Sequence, residues 1–239
     1  MFPLKDDNPT QNTPFATIFI IALCVTIFIY QLSLTEISNS EFIYSYGMKP
    51  ASLFSNNNLV SSIITVFSSM FMHGGFFHLA GNMLFLWIYG NNIEDAMGTI
   101  KFILFYFTCG IAAALLQAFI TPYSNIPMIG ASGAVSGVLS AYFLLFPRAK
   151  VSTLVILFFF ITVIRIPAGI LISIWFVTQL FNAYQTDPSS PGVAWYAHIG
   201  GFLMGAILIP LLKKNNYKFF STGINKSPNK KRIRLRFKK

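Results

Sequence analysis

The sequence predicts an all-α membrane protein folded as a bundle of six transmembrane helices. Hydrophobic residues make up 54% of the 239 positions and charged residues only 10%, whereas soluble domains average about 25% charged residues. The mean hydropathy of +0.62 indicates the same class. Six separate apolar segments carry this excess. A bilayer-crossing helix needs roughly 20 mostly apolar residues, so we assign one helix to each segment.

Five of the six spans are marked by plain changes in polarity along the chain. They are predicted at 15–34, 75–89, 101–120, 130–146 and 195–212. A short helix that begins near Val60 is expected to precede the second span. No internal repeat is visible in the sequence.

The fifth span is harder to place because residues 151–181 are almost continuously apolar. A straight helix of that length would measure about 45 Å, compared with about 30 Å for the hydrocarbon core of a bilayer. Arg165 and Pro167 interrupt the segment near its middle. We therefore predict an interfacial or partly re-entrant segment for the first half and a span at 167–181.

The basic residues predict which side of the membrane holds the termini. Eleven of the 17 Lys and Arg residues lie between Lys213 and Lys239, where no acidic residue occurs. A basic run attached directly to a membrane helix is typical of the cytosolic side and of anionic lipid, so lipid is favoured over nucleic acid as the partner of this tail.

Six spans would place both chain ends on that side. The predicted organisation is therefore a short cytosolic N-terminus at 1–14, a membrane domain at 15–212 and a basic cytosolic tail at 213–239. A bacterial plasma membrane fits this single-chain layout.

No metal or cofactor is expected. Cys24 and Cys109 both lie inside apolar runs, which favours packing over a disulfide or a thiolate metal site. Three His residues could in principle bind zinc. However, His73 and His78 are five residues apart, which splays them around a helix, and the segment lacks the Glu of the HExxH arrangement.

Three polar residues are predicted at one depth, near the outer ends of three spans that run in the same direction. His78 lies near the start of the second span, Ser132 opens the fourth, and His198 lies about one turn into the sixth. Polar groups inside a membrane are costly and more often functional than not. Ser132 would need a neighbouring base to become nucleophilic, and His198 is the obvious one. No acidic residue is expected at that depth to complete a triad.

Small residues predict that the fourth and sixth spans approach each other closely. Glycines four residues apart give two helices faces on which their backbones can meet. The small residues expected near the site are Gly130, Gly133, Gly137, Gly201 and Gly205. Either pattern alone is explained by packing. With a Ser and a His at matching depth, the two patterns together predict that the hydroxyl and the imidazole come within hydrogen-bond reach.

Asn82 lies four residues after His78, and therefore on the same helical face. An amide and an imidazole donor side by side could hold a developing oxyanion, and one such donor can contribute roughly 3 kcal/mol to transition-state stabilisation. The backbone N–H of Ser132, at a helix N-terminus, could be a third donor.

Four motifs, "HGGFFHLAGNM", "YGNNIEDAMG", "GASGAVSG" and "AHIGGFLMG", occur in an order that resembles the rhomboid family of intramembrane serine proteases. The resemblance spans residues 54–210. It implies a six-helix rhomboid fold with Ser132 as nucleophile, His198 as general base, and an oxyanion hole formed by His78, Asn82 and the Ser132 amide. It also implies a structural role for His73 in its loop and a hydrogen-bonding role at a helix end for Glu94.

Two positions differ from the family pattern. Many members carry an aromatic residue one turn after the nucleophile, where it stacks on the catalytic histidine, and this chain has Ser136 there. The Trp-Arg pair common in the first external loop is replaced by Ile64 and Thr65.

The sequence therefore predicts a serine endopeptidase that cleaves transmembrane-helix substrates near the outer face of the membrane. A non-catalytic membrane chaperone or binding protein on the same scaffold is the alternative, although it would be expected to lack the Ser or the His. A small-solute transporter is the third class, and it would be expected to show internal repeats and polar residues near the bilayer midplane. No repeat is visible, and the polar residues are predicted near one surface.

Overall fold

The computed structural model describes residues 2–55, 59–157, 160–188 and 190–221, and most of them are helical. The helices, in chain order, are α1 Phe15–Ser33, α2 Glu36–Tyr46, α3 Pro50–Phe54, α4 Leu59–Ser68, α5 Phe76–Phe85, α6 Asn91–Met97, α7 Thr99–Ile120, α8 Ser132–Leu145, α9 Ala168–Gln185 and α10 Trp195–Leu212. A 3₁₀ turn, Ser69–Phe71, extends α4, and a π-helical turn, Leu86–Gly90, joins α5 to α6.

Three of these helices are long and apolar enough to cross a bilayer, namely α1, α7 and α10. A fourth span is obtained if α4 and α5–α6, which are bent by 84° at a short break, are counted as one broken span. Helix α8 is apolar but has only 14 residues. Helices stand at all six predicted positions, but length and composition support only three or four spans among the described residues. The count of six stays a prediction.

The chain is not all-α, because a three-stranded antiparallel sheet stands where the interfacial or re-entrant segment was predicted. Strands β2 (Lys150–Leu157) and β3 (Phe160–Pro167) form a hairpin, and β1 (Phe2–Asp6) pairs with the other edge of β2. Val, Ile and Thr dominate β2 and β3, and these residues favour extended backbone. Continuous hydrophobicity alone does not separate a buried strand from a helix, which explains why the sequence predicted an all-α protein and no sheet.

The sheet and both ends of the described chain lie at one end of the bundle, here called the terminal end. Asp95, in α6, accepts hydrogen bonds from the Gln11 N–H at 2.8 Å, the Asn12 side chain at 2.6 Å and the Tyr217 hydroxyl at 3.1 Å. These bonds join the segment before α1 to the segment after α10.

Glu94 stabilises the start of α1 at this same end. Its carboxylate accepts from the backbone N–H groups of Ala16 and Thr17 at 2.9 and 2.8 Å, and from the hydroxyls of Thr17 and Thr99, both at 2.8 Å. The first N–H groups of a helix have no partner within the helix. No side chain of α1 itself caps them, so Glu94 serves as the cap from a different helix. The resemblance implied a hydrogen-bonding role at a helix end for Glu94, and that role stays a prediction.

The centre of the fold is α8, which packs against both α7 and α10, and these two helices also pack on each other. A Cβ at Gly201 would overlap the Gly133 carbonyl, and one at Gly205 would overlap the Gly137 carbonyl. The backbones of α8 and α10 are therefore in direct contact along two helical turns. A Cβ at Gly137 would also strike Cys109 of α7, so all three helices meet near this glycine.

Asp6 connects the sheet to the bundle. Its carboxylate accepts from the Tyr142 hydroxyl at 2.6 Å and from the Asn92 amide at 2.9 Å. Burial raises the pKa of Asp6 from 3.8 to about 6, even though these bonds favour the charged form.

We expect Gly201→Ala to lower the free energy of unfolding by about 1–3 kcal/mol, because the added methyl forces α8 and α10 apart. Denaturant unfolding in detergent micelles measures this loss. Gly81→Ala is the matched control, since a Cβ there meets nothing within 4 Å. Alanine is also the better helix former, so this control should be neutral or stabilising. Equal stability of the Gly201 variant and the wild type would contradict the packing argument.

We expect the stability difference between wild type and Asp6→Asn to depend on pH. Because the pKa of Asp6 is raised to about 6 in the folded state, its contribution to stability is fully present below its ordinary value of 3.8 and is lost as the pH rises through about 6. The melting temperature of wild type minus that of the variant should therefore fall between pH 4 and pH 7. Glu41→Gln, which removes an exposed carboxylate of α2, controls for general charge effects. A difference that is flat or rises with pH would refute this account.

Candidate active site

Ser132 is the first residue of α8 and is placed by the glycine two positions before it. Gly130 has a φ of +124°, a backbone conformation that favours glycine. Its N–H donates to the Ser69 carbonyl at 2.8 Å, which ties this loop to the 3₁₀ turn after α4. A Cβ at Gly130 would lie 2.7 Å from the His78 ring nitrogen Nε2 and 3.7 Å from the Ser132 hydroxyl. Glycine thus allows the His78 ring to lie directly over this loop.

His198 and Ser132 form a direct hydrogen bond. The distance from the imidazole Nε2 to the hydroxyl Oγ is 2.9 Å, and the His198 side chain is only 8% exposed. The bond lies immediately beyond the Gly133–Gly201 contact, where the backbones of α8 and α10 meet. The structure thus brings together the two residues that the sequence placed at one depth.

The other ring nitrogen of His198 is held by Gln179 of α9. The distance from Nδ1 to the Gln179 oxygen Oε1 is 2.8 Å. The Gln179 amide nitrogen donates to the Trp175 carbonyl at 2.8 Å and to the Thr178 hydroxyl at 3.1 Å. A carbonyl can only accept, so the amide nitrogen faces Trp175 and the oxygen faces His198. The proton of neutral His198 then resides on Nδ1, and Nε2 is free to accept from Ser132.

Sequence analysis missed Gln179. The only signal was an uncharged polar residue in an apolar helix, and nothing in the spacing connected it to a histidine 19 positions later.

Aromatic rings flank His198 from α9 and α10 rather than from α8. The Trp175 ring centroid lies 5.9 Å from that of His198 at an interplanar angle of 35°, and the Trp195 ring packs edge-on at 6.0 Å. Ser136, where many family members have an aromatic residue, is fully buried and donates to the Ser132 carbonyl at 2.6 Å. Although α8 carries no aromatic ring at this position, the two tryptophan rings enclose His198.

His78 and Asn82 lie one turn apart on α5, at the edge of a cavity of about 670 Å³ that Ser132 and His198 also line. The Gly74 N–H donates to Nδ1 of His78 at 3.4 Å, which leaves the ring proton on Nε2, the atom that lies over Gly130. The amide nitrogen of Asn82 is buried and has no hydrogen-bond partner among the described residues. Two donors thus lie at the cavity beside Ser132.

His73 lies in the loop before α5 and is held through its backbone. Its N–H donates to the Gln31 side chain at 3.1 Å, and its carbonyl accepts from the same amide at 3.2 Å. Its ring packs edge-on against His78 with 5.1 Å between centroids. Across the described ranges, no three His, Cys, Asp or Glu side chains cluster closely enough to hold a metal ion. The structural role that the resemblance implies for His73 stays a prediction.

The fold and the site define a helical membrane protein with a partly buried Ser–His pair that lines a cavity. The family model of the Rhomboid domain matches residues 60–215, more than half of the chain. The chain belongs to the rhomboid family.

Individual relatives agree with this assignment. The chain is 32% identical over 152 residues to Rhomboid protein 1, mitochondrial, of Saccharomyces cerevisiae, a match that covers 62% of this chain and 41% of the relative. It is 31% identical over 134 residues to Rhomboid protease GluP of Bacillus subtilis, covering 55% and 24%. It is 26% identical over 213 residues to Rhomboid-like protein 11, chloroplastic, of Arabidopsis thaliana, covering 88% and 70%.

Family membership alone decides neither activity nor location. One relative is named a protease, and another, from Drosophila melanogaster and 26% identical over 133 residues, is named Inactive rhomboid protein 1. The expected bacterial plasma membrane is not supported, because similar relatives are named as mitochondrial or chloroplastic. Of the predicted location, the membrane is supported: the chain is a membrane protein.

Proposed function

We propose that this chain is an intramembrane serine endopeptidase whose substrates are transmembrane proteins. The observation that carries the proposal is the 2.9 Å hydrogen bond between Ser132 and His198, in which the histidine nitrogen that faces the hydroxyl is the one free to accept its proton. A serine hydroxyl becomes an effective nucleophile when a neighbouring base takes its proton.

The Ser132 hydroxyl attacks the scissile carbonyl carbon while Nε2 of His198 takes the hydroxyl proton. His198 then gives this proton to the leaving amine as the carbon–nitrogen bond breaks, and an acyl-enzyme remains on Ser132. Water that enters from the outer face transfers a proton to His198 and attacks the ester, which releases the acid and restores the hydroxyl.

Donors around Ser132 stabilise the oxyanion. The unpaired Asn82 amide, the Nε2–H of His78 and the Ser132 backbone N–H belong to residues that line the same cavity. A buried donor without a partner is destabilising by about 1–3 kcal/mol, and a negatively charged oxygen would supply that partner. The same arrangement makes these donors most effective in the transition state, when the charge develops.

The cavity suits a locally unwound helix. A helical substrate hides its carbonyls in hydrogen bonds, so substrates with Gly, Pro or polar residues near the cut are favoured. The family resemblance adds a preference for a small residue before the cut. The turn-rich loop before α10 also lines the cavity, through Pro188, Ser190 and Gly192, and we propose that this loop and α9 form the gate for substrate entry.

The proposed orientation of the chain in the membrane is based on the terminal end of the bundle. Both ends of the described chain lie at that end, which we propose faces the cytosol, and we propose that the active site lies near the opposite, outer face. The basic tail at 213–239 binds anionic lipid. Only its first part, through Ser221, is within the described residues. There Lys214 donates to the Asp95 carbonyl at 2.7 Å, and the Lys213 amine lies 5.2 Å from the centre of the Phe219 ring.

A non-catalytic membrane chaperone or binding protein on the same scaffold is the second candidate, favoured by the relative that is named inactive. Such a protein would bind transmembrane helices in the same cavity without cutting them. The two candidates therefore differ in turnover rather than in binding.

Cleavage of labelled transmembrane substrates by the purified protein in liposomes tests the proposal, with Ser132→Ala and His198→Ala compared with wild type. We expect cleavage by wild type and none by either variant. Ser140→Ala is the matched control, because this buried serine lies two turns along α8 and donates its hydroxyl to the Gly137 carbonyl. Cleavage by Ser132→Ala would refute the mechanism. Binding without cleavage by wild type, across several helix-destabilised substrates, would establish the second candidate instead.

We expect Asn82→Ala to lower kcat by about 10²–10³-fold with little change in KM, because the amide acts mainly on the oxyanion of the transition state. Steady-state kinetics on the same substrate separates the two constants. Asn216→Ala, at the terminal end, is the control. A change confined to KM would show that Asn82 binds substrate instead.

A further inference from the structure

We infer that Gln179 is a positioning residue, which holds His198 in the tautomer and orientation that the reaction needs. It takes the place that a carboxylate occupies in a Ser-His-Asp triad. The inference rests on the proposed function of Ser132 and His198, but it concerns a residue of a third helix, one that the resemblance to the family did not point to.

The geometry places Gln179 at the far side of the imidazole from Ser132. Its oxygen lies 2.8 Å from Nδ1, and the hydroxyl of Ser132 lies 2.9 Å from Nε2. Gln179 is 4% exposed and is not among the residues that line the cavity. It can therefore affect the reaction only through the residues it bonds, chiefly His198, and not by contact with substrate.

The direction of the Gln179 amide is fixed by its other bonds. The amide nitrogen donates to the Trp175 carbonyl and the Thr178 hydroxyl on the preceding turn, so its oxygen points at His198. If the imidazole proton moved to Nε2, an N–H would point at Ser132. Nε2 would then be unable to accept the proton of the Ser132 hydroxyl. Nδ1 and the Gln179 oxygen would then face each other as two acceptors. The Gln179 bond therefore favours the reactive tautomer, on the order of tenfold for one buried neutral hydrogen bond.

A neutral amide suits this depth better than a carboxylate. A charged side chain inside the bilayer is costly, whereas an amide oxygen accepts the same N–H bond without a charge. The amide cannot balance the imidazolium that forms during the reaction. Its loss should consequently have a smaller effect than the roughly 10⁴-fold fall in kcat when the chymotrypsin triad Asp is changed to Asn.

Gln179→Leu tests the inference because it removes the acceptor and keeps a side chain of similar size. We expect kcat to fall about tenfold with KM unchanged. Gln179→Glu, protonated because a buried charge is costly, keeps an acceptor oxygen for His198 and an O–H donor for the Trp175 carbonyl, and should return kcat to within a few-fold of wild type. Asn216→Leu, which replaces an exposed amide at the terminal end, is the control and should leave both constants unchanged. If the Leu variant does not fold, Gln179→Met is the substitute.

A second readout needs no turnover. The ¹⁵N signals of a neutral imidazole report which nitrogen carries the proton, and the chain has only three His residues, so His198→Ala assigns the signals of His198. Wild type should show the proton on Nδ1. Gln179→Leu should show a shift of population towards Nε2, while the signals of His73 and His78 stay in place. A merely structural glutamine would lower stability without moving this equilibrium.

The two readouts separate failure of this inference from failure of the proposed function. A Gln179→Leu variant with wild-type kcat and unchanged His198 signals would overturn the inference and leave the protease intact. If no form of the protein cleaves but the tautomer shifts in the variant, the positioning role of Gln179 stands and the proposed activity fails. A fall in kcat with an unchanged tautomer would also overturn the inference.

Discussion

The backbone contact between α8 and α10 is the constraint on which the rest of the molecule depends. Gly201 and Gly205 meet the carbonyls of Gly133 and Gly137, a distance that allows no side chain between the helices. This contact determines the depth of α10 relative to α8. It therefore also determines the distance between Ser132 and the imidazole of His198, which lies about one turn before Gly201 on α10. Packing and chemistry are coupled here, because widening the helix pair would lengthen the hydrogen bond that the site depends on.

Polar groups at the site are satisfied by neighbours from different helices. His198 is bonded on one side by a residue of α8 and on the other by a residue of α9, and two tryptophan rings enclose it. The Asn82 amide nitrogen has no partner among the described residues, and neither do the ring nitrogens of His73 or the side-chain oxygen of Gln117, which lines the same cavity. Buried polar groups left unpaired at a cavity call for a partner such as water, an ion or a ligand.

The sequence predicted the helices and the pairing of Ser132 with His198 because the signals lie within short segments of the chain. Apolar length locates a span, and the Gly spacing on two helices shows that they can meet. The hairpin was not predictable in this way, since β2 and β3 are as apolar as a membrane helix and only their β-branched composition differs. Gln179 was missed because its role depends on which face of α9 turns towards α10, and spacing along the chain does not contain that relation.

Strand β1 has a consequence for the order of events during synthesis. Phe2 pairs with Leu154, so the first strand emerges from the ribosome long before its partner does. At about 5–20 residues per second the delay is roughly 8–30 s. During that time the membrane helices up to α8 are made, and the N-terminal segment has no sheet to join. Closure of the sheet is thus a late and non-local step. It occurs only after the helix that begins at Ser132 has been made, but it needs neither α9 nor α10, so the paired β1 strand marks synthesis of the chain through β2.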